Sequence, residues 1–149
     1  MSLTKLLREQ QQRLDGVIEL LEQERELLAA ADIDGRQLAE VAELKQQRLQ
    51  QLEATETLRR NVQQRLGYAE GAAGARQAAE DAGCLESWES TMERTQKAHR
   101  LNTMNGQLVG LRMGQNKRLL EFIHEAAEKT TYGASGRVRA QPGRFNTSV

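Results

Sequence analysis

The residues best placed to hold a metal are Glu121 and His124. Their Glu-x-x-His spacing puts a carboxylate and an imidazole on one helical face, as in carboxylate-bridged di-iron bundles. Such a site needs a second copy of the pair. The chain has two histidines, and the other, His99, has Gln96 where the second glutamate would stand. A zinc-protease helix requires two histidines four apart, and from His124 that position is Glu128. Metal binding is therefore not expected. His99 lies on an apolar spacing and reads as a polar core residue with a local partner. Cys84 is the single cysteine, so it reads as a small packing residue in a reducing compartment. The glycines at 71, 74, 106, 110 and 114 lack the lysine–hydroxyl sequel of a phosphate loop. Carboxylates alternate with Arg and Lys, as on solvated helix faces. No enzyme and no cofactor is expected.

The elements that carry these residues are helices. Aromatics make up 3% of the chain and there is one proline, while Ala, Leu, Gln, Glu and Arg dominate, so an all-α protein is expected. A first helix is read over Leu3–Ala31, with Leu3, Leu7, Leu14, Val17, Leu21 and Leu28 as its seam. Gln10 and Glu24 interrupt that seam. Asp34 with Gln37 forms a capping box for a second helix reaching Leu66, seamed by Leu38, Val41, Leu44, Leu49, Leu52, Leu58, Val62 and Leu66. The short link makes these two neighbours antiparallel. Gly67–Gly74 reads as a link, Ala75–Ala82 as a short helix, and Gly83 as its cap. A last helix over Leu85–Thr130 would be about 70 Å long, ended by Tyr132-Gly133. The expected architecture is an elongated antiparallel bundle of three long helices plus a short fourth, with a left-handed twist.

That bundle domain spans residues 1–132, followed by a flexible basic tail at 133–149. Residues 129–149 hold four Lys/Arg and no acid, whereas residues 1–128 hold 17 Lys/Arg against 21 Asp/Glu. An acidic body argues against nucleic acid. No apolar run reaches the ~20 residues of a membrane span, and no signal peptide is legible.

The last helix carries a seam through Leu85, Trp88, Met92, Thr95, His99, Asn102, Gly106, Val109, Met113, Asn116, Leu120, Ile123 and Ala127. A second seam joins it at Leu101, Met104, Leu108, Leu111, Gln115, Leu119 and Phe122. One stripe suffices to join a bundle, so the second calls for another occupant. Leu101, Met104, Leu108, Leu111, Leu119 and Phe122 form the expected binding stripe. A further bundle helix or a second copy of the chain could cover it equally, and a weak homodimer is compatible with it. Gly106, Gly110 and Gly114, with Asn102 and Asn105 nearby, fit either close helix packing or a pliable segment.

The chain resembles the flagellar export chaperone FlgN family at three places. Trp88, Glu93-Arg94-Thr95-Gln96 and Leu101-Asn102-Thr103-Met104-Asn105-Gly106 match its Asn-x-x-Asn-Gly region. Tyr132-Gly133-Ala134-Ser135-Gly136 is similar to its Tyr-Gly-x-x-Gly turn, with Ser135 where the family often has an acid. Asp34, Leu38, Val41, Leu44-Lys45 and Leu49 are similar to its second-helix start. The resemblance implies a cytoplasmic chaperone of flagellar type III secretion. Its clients would be the C-terminal regions of the hook–filament junction proteins FlgK and FlgL, and its receiver the export gate component FlhA, docked through Tyr132 and Gly133. The rival readings are a generic coiled-coil adaptor and an iron-storing or redox bundle.

Overall fold

The computed structural model describes the backbone of residues 2–133, and within it every side chain but those of Asn116, Leu119, Leu120 and 127–133. The expected flexible tail therefore lies outside the described residues, apart from Gly133. The described chain is all-α: α1 (Leu3–Ala29), α2 (Gly35–Arg65), α3 (Ala72–Asp81) and α4 (Leu85–Gly133).

Helix α1 is the spine. Its Leu3–Leu28 seam is buried as its spacing requires, and Gln10 and Glu24 are buried with it. Leu6, Leu7, Leu21 and Leu28 are almost wholly enclosed, each contributing roughly 1.5–3 kcal/mol by leaving water. Ser2 caps the helix by accepting a hydrogen bond from the Lys5 backbone N–H at 3.2 Å. At the other end, Asp34 accepts from the Gln37 N–H at 3.1 Å and opens α2.

Helix α2 runs antiparallel to α1. Arg13 donates to Gln51 at 2.8 Å, and further up α1 Lys45 meets Glu24 at 2.8 Å. Helix α4 runs parallel to α1. Gln11 donates to the Ser87 carbonyl at 2.8 Å, Arg94 meets Asp15 at 2.8 Å, and Arg112 donates to the Ala30 carbonyl at 2.7 Å. The alanine face of α3 closes one end, where Ala75, Ala78 and Ala79 pack with Leu3, Leu7, Cys84 and Trp88.

The link between α2 and α4 is specified by glycines. Helix α3 ends with Gly83 at φ +72°. The Cys84 N–H donates to the Ala79 carbonyl at 2.8 Å and the Gly83 N–H to the Glu80 carbonyl at 3.0 Å, which is a Schellman cap. Gly74 is required by space. A Cβ there would stand 1.8 Å from the Ala69 carbonyl oxygen.

Three sequence expectations change. On α2, Leu44, Leu49, Leu58 and Leu66 are exposed, and its buried face is Leu38, Val41, Thr55, Arg59 and Gln63. A leucine spacing misplaced that face because polar residues hold half of it. His99 is exposed, not a core residue. Helix α4 continues through Tyr132 and Gly133 rather than stopping before them.

Candidate binding surfaces

The buried face of α4 begins at Cys84 and Trp88, passes Thr91, and reaches Leu101 and Asn105. The first seam read from the sequence follows this face only to Met92; Thr95, His99, Asn102 and Gly106 turn outward. Leu101, expected on the binding stripe, is 7% exposed and packs against Val17, Ile18 and Leu21. It belongs to the core because α4 presents Leu101, not Asn102, to α1.

Asn105 of α4 and Lys45 of α2 meet on Glu24 of α1. Asn105 Nδ2 donates to the Leu21 carbonyl at 2.8 Å and to Glu24 Oε1 at 2.9 Å. Lys45 Nζ donates to both oxygens of the same carboxylate, at 2.8 and 3.1 Å. Burial of the glutamate is thus matched by a cation and an amide, as a buried carboxylate requires.

From this junction onward the described large apolar side chains of α4 are half-buried or exposed. Met104 is exposed and Leu108 half-buried, while Leu111 is 61% and Phe122 68% exposed. Met113 and Ile123, on the neighbouring seam, are exposed too. Every described side chain from Gln115 to Ala126 is exposed. The side chains of Leu119 and Tyr132 lie outside the described residues. From Met113 to Gly133 the helix extends for about 30 Å at ~1.5 Å per residue.

The glycines of α4 are not contact points. A Cβ added at Gly106, Gly110 or Gly114 would meet nothing within 4 Å. No helix among the described residues approaches there, so close packing does not explain them. Asn102 is exposed and only Asn105 is structural.

A second surface lies between α2 and α4, on a floor formed by α1. It is a cleft of about 550 Å³ whose lining includes Gln10, Leu14, Leu52, Arg59, Trp88 and Met92. Arg59 reaches from α2 to place its guanidinium 5.2 Å from the centre of the Trp88 ring. Its Nη1 donates to Gln63 Oε1 at 2.9 Å, and Gln63 Nε2 donates in turn to the Ala69 carbonyl at 2.6 Å. Burial pushes the Arg59 guanidinium below its ordinary pKa, an effect opposed by the nearby Glu56 carboxylate. At the cleft's edge Tyr68 donates to Asp81 at 2.6 Å. That bond, with a second from Gln77, holds Asp81 below the usual carboxylate range and raises Tyr68. This cleft is not legible in the sequence, where its one visible sign is Gln10, one of the two polar residues in the leucine-rich seam of α1.

Chemistry of other kinds finds little to work with. Among the described residues no three His, Cys, Asp or Glu side chains converge on a metal position. None of the described helices is long and apolar enough to cross a membrane.

Comparison with known proteins bears on these surfaces. The model of the family described as FlgN protein matches residues 1–140. The Flagella synthesis protein FlgN of Escherichia coli (strain K12) is 26% identical over 134 residues, covering 90% of this chain and 88% of that protein. No solved structure matches the chain.

Proposed function

The chain belongs to the FlgN family, chaperones of flagellum synthesis, and from that premise we propose that it escorts hook–filament junction proteins to the flagellar export gate. The clients are FlgK and FlgL, held by their C-terminal amphipathic helices so that they do not assemble early. The receiver is FlhA. The chaperone acts in the cytoplasm, with no catalytic step, cofactor, nucleic acid or membrane insertion.

The observation that carries this reading is the uncovered apolar length of α4. An amphipathic client helix laid along Met104, Leu108, Leu111, Leu119 and Phe122 would complete a pair that the other described helices leave open. Leu101 supports the stripe from the core. Covering ~500 Å² of apolar surface yields on the order of 12 kcal/mol gross at ~25 cal/mol per Å², much of it offset by ordering the client. Reversible binding follows, as a carrier must release its cargo. A weak homodimer through the same face would be displaced by client. The elongated helical bundle, with α2 antiparallel and α4 parallel to α1, serves as the rigid handle, and Gly106, Gly110 and Gly114 let the open half of α4 adapt to the client. Tyr132 and Gly133, in the last turn of α4, contribute the contact with the gate.

Calorimetric titration with C-terminal segments of FlgK and FlgL tests this. Leu111→Asp combined with Phe122→Asp should weaken client binding at least tenfold while helical content and melting stay unchanged. Tyr132→Ala should reduce capture by FlhA and leave client binding intact. Undiminished client binding by the double variant would overturn the stripe, and its unfolding would place those residues in the core.

A further inference from the structure

The cleft between α2 and α4 plays no part in the proposed client stripe, yet its polar groups are left incomplete. Arg59 is 6% exposed and its Nε has no hydrogen-bond partner. Its one hydrogen bond among the described residues is Nη1 to Gln63. The acid whose charge acts on it, Glu56, is engaged by Arg60 at 2.8 Å. Gln10, from α1, is 7% exposed, and its Oε1 likewise has no donor. Both residues line the same cleft, beside Leu14, Leu52 and Met92.

A buried guanidinium with a bare Nε edge is costly unless something occupies it. The residue is also held in place, by the Trp88 ring on one side and by Gln63, itself tied to the Ala69 carbonyl, on another. A fixed guanidinium edge matches a carboxylate, which accepts two parallel N–H bonds. The bare Gln10 oxygen asks for an N–H donor. The leucines and methionine ask for an apolar group. A chain-terminal amino-acid residue offers a carboxylate, an N–H and a side chain from a single Cα. The volume is within the range of small-ligand clefts.

We infer that this cleft is a receptor for the free C-terminal residue of a polypeptide, with the terminal carboxylate on Arg59, the terminal N–H on Gln10 and an apolar side chain against Leu14, Leu52 and Met92. The site is separate from the α4 stripe and does not depend on what that stripe carries.

Trp88 is the single tryptophan of the chain, so its fluorescence reports on the cleft directly. The full chain is titrated with three acetylated tripeptides: Gly-Ala-Leu with a free carboxylate, the same peptide as its amide, and Ala-Glu-Leu amide, whose only carboxylate is internal. A saturable response to the free acid is expected, at least tenfold weaker for both amides. Arg59→Lys should weaken binding of the acid at least tenfold, and Gln10→Leu severalfold, with circular dichroism confirming the fold. The acid–amide comparison needs no variant and stands if either substitution disturbs folding. Equal binding of acid and amide overturns the carboxylate assignment. Equal binding of the two carboxylate peptides overturns the terminal one. No saturable response to any peptide means that water fills the cleft, and the inference fails.

Discussion

Between Leu85 and Arg112, α4 lies along α1 with Thr91 and Asn105 in its buried face; between Met113 and Gly133 it carries Met113, Phe122 and Ile123 in the open. The half with polar residues inside is the half that is packed. The difference comes from length. Helix α1 has 27 residues and α4 has 49, and α4 starts level with the N-terminal end of α1. Among the described residues, its far half therefore has no spine beside it. Burial here follows the availability of a neighbour rather than the number of apolar residues.

The strongest way to break this comparison is to remove one aromatic from each half. Trp88→Ala should cost about 3–5 kcal/mol, because it empties a packed site shared by α1, α3 and α4. Phe122→Ala should stay within about 0.5 kcal/mol, as for an exposed position. Denaturant titration measures both, and similar costs would mean that the far half is packed after all.

The glycines sharpen the boundary between the halves. Gly106→Ala with Gly110→Ala should raise global stability by about 1–2 kcal/mol, since the added Cβ atoms meet nothing. Gly114→Ala should slow amide exchange locally in the far half without moving the global midpoint. A global gain from Gly114→Ala equal to that from Gly106→Ala would erase the boundary.

The smallest effect concerns the packed end alone. The Asp81 pKa is depressed in the folded state, chiefly by the Tyr68 hydroxyl. Its contribution to stability is therefore complete above the ordinary carboxylate pKa of 3.8 and is lost as pH falls through the lower folded value. The raised Tyr68 pKa works in the opposite direction, contributing below its ordinary value of 10.0 and fading as pH rises through the folded one. Asp81 is exposed and Tyr68 half-buried, with the bond between them at the surface, so the change is slight. In Tyr68→Phe the acid limb of the stability curve should flatten; an unchanged acid limb would separate Asp81 from Tyr68.

How far the sequence could be read differed between helices for physical reasons. Helix α1 was legible along its heptad seam, where Gln10 and Glu24 stood out as polar exceptions; Leu6, Ile18 and Leu20, buried beside that seam because a central helix meets neighbours on more than one side, were not. The Asp34 cap was legible because capping is local. Helix α2 was not, since Thr55, Arg59 and Gln63 face inward while Leu44 and Leu58 face water. Arg59 and Gln63 are buried through partners contributed by other segments, the Trp88 ring and the Ala69 carbonyl, which no spacing rule records. The turn of α4 from Trp88 to Leu101 was hidden in the same way by Thr91 and Asn105. The open stripe was legible because nothing among the described residues competes for Leu111 and Phe122.

The meeting of Asn105, Glu24 and Lys45 also settles alignment. Sliding α4 along α1 by one turn, about 5.4 Å, would bring Leu101 or Leu108–Val109 against a carboxylate and leave that charge without its amide. Hydrophobic contacts tolerate such sliding far better than this triad does. Three polar side chains thus act as an index mark, and the reach of the free arm beyond the bundle is set by them rather than by the leucines that surround them.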